Sequence, residues 1–201
     1  MIRASVVLGL ALLALCPVAA VAAEEEEQAV ETKANPVVVM KTNMGTIEIE
    51  LYPYKAPVTV ENFLAYVDQG FYEGTVFHRI MKGFMIQGGG FDADLNQKET
   101  KDPIKNEANN GLSNATGTIA MARTSNPHSA TAQFFVNTVN NQRLNFTSES
   151  GNGWGYTVFG EVTSGMDVVR SIEASPTGPK GRFRSDVPVQ TVVIESVTLK
   201  E

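Results

Sequence analysis

The chain has 201 residues, 43% of them hydrophobic and 19% charged, enough for one globular core and short for two domains. Its formal net charge is −6, and its 16 Lys and Arg residues form no basic run. Charge therefore excludes nucleic acid and anionic membrane surfaces as expected partners, since both require concentrated cations.

Residues 1–23 have the pattern of a cleaved signal peptide. Arg3 gives a positive start, residues 4–15 form an apolar run, and residues 20–23 offer the small side chains of a cleavage site. That run is shorter than the roughly 20 residues a membrane-spanning helix needs, so no membrane insertion is expected after cleavage. Cys16, the single cysteine, follows a Leu15 too bulky for a lipid-attachment pattern and leaves with the signal. The mature chain then has no disulfide and no cysteine nucleophile. Residues 24–35 open with Glu24, Glu25, Glu26 and Glu27, whose mutual repulsion predicts an acidic disordered spacer before a domain spanning 36–201.

Residues 37–42 read as a strand, and 46–51 alternate strictly, with Ile47, Ile49 and Leu51 on one face and Thr46, Glu48 and Glu50 on the other. This predicts a hairpin with one buried face. Pro57 opens a helix carrying Val60, Phe63, Leu64 and Val67 at helical spacing, with Gly70 as its stop. Short strands are expected at 76–81, 84–87, 118–122, 133–137 and 156–162. Ser164 and Asp167 form a candidate capping pair for a second helix with Met166, Val169 and Ile172 on its apolar side, and 191–199 supplies a closing strand. Many short strands with two separate helices indicate a mostly antiparallel barrel. Residues 88–117 lack a pattern, and loops of that length tend to carry function.

The segment Phe77-His78-Arg79-Ile80-Met81-Lys82-Gly83-Phe84-Met85-Ile86-Gln87-Gly88-Gly89 resembles the signature of the cyclophilins. Residues 117–122, 130–136, 156–162 and 165–169 resemble further motifs of that family in the same order, so the likeness runs from Val37 to about Leu199. Ile104-Lys105-Asn106-Glu107-Ala108 and Ala122-Arg123-Thr124 are similar to the bacterial periplasmic branch, which makes the periplasm the expected location. The resemblance implies a mostly β fold: a closed eight-stranded antiparallel barrel capped by two α-helices, with a groove for prolyl peptides on its outer face. It also implies peptidyl-prolyl cis/trans isomerase activity without cofactor or metal. The implied partners are unfolded or partly folded exported polypeptides containing X-Pro bonds, met by a monomer.

By the same resemblance Arg79 is the catalytic donor and Gln87 the residue that holds its guanidinium. Phe84, Met85, Phe135 and Leu144 would form the proline pocket, Ala122, Arg123 and Gln133 would hold the peptide, and His78 and Tyr156 would flank it. An arginine suits this chemistry because it is always charged and planar, with several donors. Taken without the family, Phe84, Met85, Phe134 and Phe135 are ordinary core residues, and strand alternation sends Phe134 and Phe135 to opposite faces. His78 and His128, the only histidines, are too far apart in sequence and too poorly accompanied to suggest a metal site or a hydrolase triad. His78 alone reads as a structural hydrogen-bonding residue beside the groove. Gly88-Gly89-Gly90 lacks the Lys-Ser/Thr of a phosphate loop, and Asn114-Ala115-Thr116 and Asn145-Phe146-Thr147 have the form of glycosylation sequons.

Three positions depart from the better-known eukaryotic members: Arg123 replaces an asparagine, Tyr156 a histidine and Arg143 a tryptophan. Without that tryptophan, cyclosporin binding is expected to be weak unless Trp154, in the polar stretch 145–154, folds into the vacant place. The competing functional expectation is a proline-recognising binding or chaperone module that needs no turnover. A third is an envelope scaffold, against which the apolar groove argues.

Overall fold

The computed structural model describes residues 34–200. The signal segment 1–23 and all but the last two residues of the 24–35 spacer lie outside the described residues. The chain enters the domain through Asn35, whose side-chain amide donates to Glu50 Oε1 at 2.9 Å.

Ten strands and two α-helices follow in the order β1 (Val37–Thr42), β2 (Gly45–Leu51), α1 (Pro57–Asp68), β3 (Phe77–Met81), β4 (Met85–Gly88), β5 (Thr118–Met121), β6 (Phe134–Asn137), β7 (Val158–Ser164), α2 (Met166–Glu173), β8 (Thr177–Lys180), β9 (Phe183–Pro188) and β10 (Ile194–Leu199). Eight of the strands form one sheet in the order β10-β1-β2-β7-β5-β6-β4-β3, with every neighbouring pair antiparallel. The expected mostly β architecture of eight antiparallel strands with two helices is present. The sheet curls into a half-barrel whose edge strands meet at one end only. There Val76 bridges Val193, and the Phe77 and Ile194 amides donate to Val192 O and Thr75 O at 3.0 and 2.7 Å.

Alternation in β2 has the predicted effect: Ile47, Ile49 and Leu51 are 0% exposed inside the barrel, while Glu48 and Glu50 face outward. Phe63 of α1 closes the core from one end. Its ring lies 5.1, 5.9 and 5.2 Å from those of Tyr72, Phe134 and Phe159. Burying a side chain of that size stabilises the fold by roughly 1.5–3 kcal/mol. Ala56 supplies no cap for α1; the Glu107 carboxylate does so from the 88–117 loop. It accepts from the Val58 and Thr59 amides at 3.1 and 2.8 Å and from the Thr59 hydroxyl at 2.7 Å. An anion there also suits the positive end of the helix dipole.

Two expectations require correction. The Ser164/Asp167 capping pair is not formed: Ser164 ends β7, and Gly165 is the N-cap of α2 with φ 87° and no side-chain cap. Only glycine fits, because a Cβ there would stand 2.3 Å from Thr46 O, in a backbone region that L side chains rarely adopt. Second, residues 177–188 form the hairpin β8–β9, which sequence periodicity did not predict. It lies against β3, and its Phe183 and Val187 enter a small apolar cluster with Val76, Phe91 and Leu95.

Candidate active site

A β-bulge between β3 and β4 sets the site. Phe77 pairs with Gly88 and Arg79 with Gln87, so β3 carries one extra residue, His78. The slip returns Ile80 to the core together with Phe77, and leaves Arg79 half-buried on the outer face beside Gln87. Re-aiming a side chain in this way is a common use of bulges.

Three polar side chains then join β3, β4 and the residue that precedes β6. Arg79 Nη1 donates to Gln87 Oε1 at 3.5 Å, and Gln87 Nε2 donates to Gln133 Oε1 at 3.0 Å. This commits the Gln87 amide at both ends. On its other side Arg79 Nε stands 3.8 Å from Asp186 Oδ2 of β9.

Next to this row lies a cleft of about 310 Å3 with an apolar wall of Phe84, Met85, Phe135 and Leu144. Ala122, Arg123 and Tyr156 complete its lining with Arg79 and Gln87. The wall belongs to an apolar cluster outside the barrel core, in which Met85 and Phe135 pack with Ala120 and Val158. Alternation in β6 accounts for the separation, since Phe134 is in the core and Phe135 in the outer cluster. Tyr156 meets Phe135 edge-on at 5.6 Å and is itself covered by the Arg123 guanidinium, 4.5 Å from its ring centre.

Buried amides hold this wall from behind. Asn141 Nδ2 donates to Phe84 O at 2.8 Å, and Asn114 Nδ2 to Leu144 O and Tyr156 O at 3.1 and 3.3 Å. Asn137 joins them, donating to Asn114 Oδ1 at 3.2 Å and accepting from Asn141 at 2.7 Å. Asn114 is 2% exposed with its amide engaged, so this sequon cannot be glycosylated in the folded chain. Glu173 of α2 anchors the β3–β4 turn, accepting from Gly83 N at 2.8 Å and Thr138 Oγ1 at 2.6 Å, with Arg170 at 3.0 Å. Burial pushes its pKa up, but the bonds from Thr138, Gly83 and Arg170 outweigh this and hold it below the usual carboxylate range.

Of the residues singled out by sequence, nine line the one cleft. Gln133 borders the adjoining depression and reaches the site through Gln87. His78 is not on the cleft. It is 3% exposed, its ring 4.5 Å from Phe91 and 5.7 Å from Phe183, and its Nδ1 has no hydrogen-bond partner. Trp154 does not fill the place beside Leu144, for it is buried against His128 and Phe146 at 4.8 and 5.6 Å. Arg143 covers the Phe84 ring instead, at 4.6 Å. Asp186, Glu173 and the asparagine lattice escaped the sequence reading. Of these only the lattice left a trace, in the density of asparagines between residues 106 and 145.

The family model described as cyclophilin type peptidyl-prolyl cis-trans isomerase/CLD matches residues 37–199. Peptidyl-prolyl cis-trans isomerase B of Escherichia coli is 59% identical over 165 residues, which are 82% of this chain and 100% of that protein. A peptidyl-prolyl cis-trans isomerase of Streptomyces antibioticus is 58% identical over 160 residues, 80% of this chain and 96% of its own. The crystal structure of a Cryptosporidium parvum cyclophilin type isomerase, determined in the presence of the dipeptide Ala-Pro, aligns with a TM-score of 0.66 at 25% identity, covering 82% of this chain and 99% of that one. With a family match across the whole domain and relatives above half identity, the chain belongs to the cyclophilin-type peptidyl-prolyl cis-trans isomerases.

Proposed function

We propose that the cleft receives the proline of an X-Pro segment in an exported polypeptide, and that Arg79 is the catalytic residue. Rotation about an X-Pro bond must give up amide resonance, a barrier of about 18–20 kcal/mol. As the bond twists, the prolyl nitrogen becomes pyramidal and regains a lone pair. A fixed cationic donor beside it binds the twisted state more tightly than the planar one, which is the condition for acceleration. The observation that carries this assignment is the Arg79–Gln87–Gln133 row along the rim of an apolar cleft. Gln87 and Asp186 fix the guanidinium, while Phe84, Met85, Phe135 and Leu144 strip water from the ring. The Gln133 amide and the backbone at Ala122 and Arg123 hold the peptide chain.

Export is supported by the signal-like pattern of residues 1–23, which stand outside the family match at 37–199. The mature protein then acts in the periplasm as a monomer and begins at Ala23 or Glu24, which the mass of the exported protein tests. A lipid-modified Cys16 or a retained Met1 would refute that part.

The activity test is a protease-coupled isomerisation assay on a short X-Pro peptide, with thermal melting run in parallel. Arg79→Ala is expected to lower kcat/KM by about a hundredfold, the scale for removing one aimed donor, with melting preserved because Arg79 is half-exposed. A folded Arg79→Ala protein with wild-type turnover would overturn the assignment and favour a proline-binding chaperone role.

A further inference from the structure

Although the chain carries a net charge of −6, the rim of this cleft is cationic. Arg79, Arg123 and Arg143 line the cleft and the depression that continues from it past Leu144 and Tyr156. Among the described residues, no Asp or Glu lines the cleft, that depression or the one beside Gln133. Arg79 already faces Asp186, but neither Arg123 nor Arg143 has a carboxylate partner among the described residues.

Both arginines are held ready. The guanidinium of Arg123 lies 4.5 Å from the centre of the Tyr156 ring, with Nε and Nη1 donating to Gly155 O at 2.8 Å and Thr124 O at 2.9 Å, which leaves Nη2 spare. Arg143 lies on Phe84 at 4.6 Å and donates to no group among the described residues. Each guanidinium thus rests against an aromatic ring beside the cleft and keeps donors available for a carboxylate. The depression they share, of about 430 Å3, opens directly from the proline cleft through Leu144 and Tyr156.

We infer that Arg123 and Arg143 form a subsite for a carboxylate side chain, so that the isomerase prefers X-Pro segments with Asp or Glu immediately beside the proline. This deepens the isomerase assignment and rests on the proline occupying the Phe84–Leu144 cleft. Two partly exposed ion pairs favour the acidic peptide by about threefold to tenfold at low salt, an advantage that screening removes.

The test uses the whole mature protein and blocked peptides that differ only in carrying Glu, Gln or Lys directly before or directly after the proline. Exchange rates measured by NMR give kcat/KM, and isothermal titration of the same peptides gives Kd. At about 20 mM salt the Glu/Gln ratio of kcat/KM is expected to reach about three to ten at one of the two positions, and to fall towards one at about 500 mM salt. The ratio is taken within each protein, so a general loss of activity in a variant cancels. Arg143→Gln is expected to shrink it and Arg143→Glu to invert it in favour of Lys. Equal Glu and Gln values at both positions would overturn the subsite, as would an advantage that survives Arg143→Gln or high salt. If no peptide is turned over, the isomerase assignment fails, and the Glu/Gln ratio of Kd still decides the subsite by the same criteria.

Discussion

Acidification from about pH 7 to about pH 4 presses a proton on His78, whose environment disfavours it. The ring is 3% exposed, its Nδ1 is unpaired, and Phe91 and Phe183 surround it. Burial lowers its pKa from 6.5 to about 4; the nearby Val76 backbone opposes the shift, and the charges of Arg79 and Arg182 reinforce it. The folded pKa is therefore below the unfolded one. Above about pH 6.5 both states are neutral and this group gives no pH dependence. Between 6.5 and 4 the unfolded chain takes up a proton that the folded chain refuses, so stability falls as the pH drops. Two to three pH units at about 1.4 kcal/mol each amount to roughly 3 kcal/mol, or about 6–12 °C in Tm for a domain of this size. The assay is thermal melting of the wild type and His78→Phe across this range. Phenylalanine keeps the aromatic packing and cannot titrate, so the Tm difference in favour of the variant should widen by about that amount on acidification. Parallel pH profiles would refute the reasoning. So would an NMR titration of His78 with a midpoint near its ordinary value in the folded protein, which holds even if the variant folds poorly.

Asp186→Asn keeps a residue tolerant of the left-handed backbone at φ 67° and removes the charge facing Arg79. Because both partners are partly exposed, kcat should fall only about twofold to fivefold, with KM and melting unchanged. An unaltered kcat would deny Asp186 any part in positioning the arginine. For cyclosporin, the place beside Leu144 carries Arg143 on Phe84, while Trp154 is committed elsewhere, so wild-type inhibition should be weak. Arg143→Trp should strengthen it by roughly tenfold, about 1.4 kcal/mol, and tight wild-type inhibition that survives Trp154→Ala would defeat this expectation.

The barrel was legible where burial imposes a period. Ile47, Ile49 and Leu51 alternate because β2 has one wet face, and Val60, Phe63 and Val67 recur at helical spacing because α1 has one dry stripe. Features that rest on distant partners were not legible. The cap of α1 comes from Glu107, 48 residues beyond the Thr59 it binds, and nothing near Pro57 announces it. The hairpin β8–β9 contains Gly178, Pro179 and Gly181, which break any alternation; its order comes from packing Phe183 and Val187 beside His78. The cleft residues stand out through their likeness to a family signature, because as isolated strand residues Met85 and Phe135 look like any core. The one-residue bulge at His78, which separates Phe77 inside from Arg79 outside, is a matter of register and has no compositional mark.

The short seam between β3 and β10 bears on how this protein can handle extended chains at all. A sheet edge with free amides and carbonyls is a template on which any unfolded polypeptide can add itself as another strand, and from there assemble into aggregates. Here β9 lies against β3, and the Val76–Val193 bridge ties the start of β3 to the start of β10. Along that seam and behind β9 the backbone is less open to the lateral, sequence-blind route of strand addition. With proline in the outer cleft as proposed, contact is made by side chains, is local and readily reversed, and lets the peptide leave without being woven into the sheet.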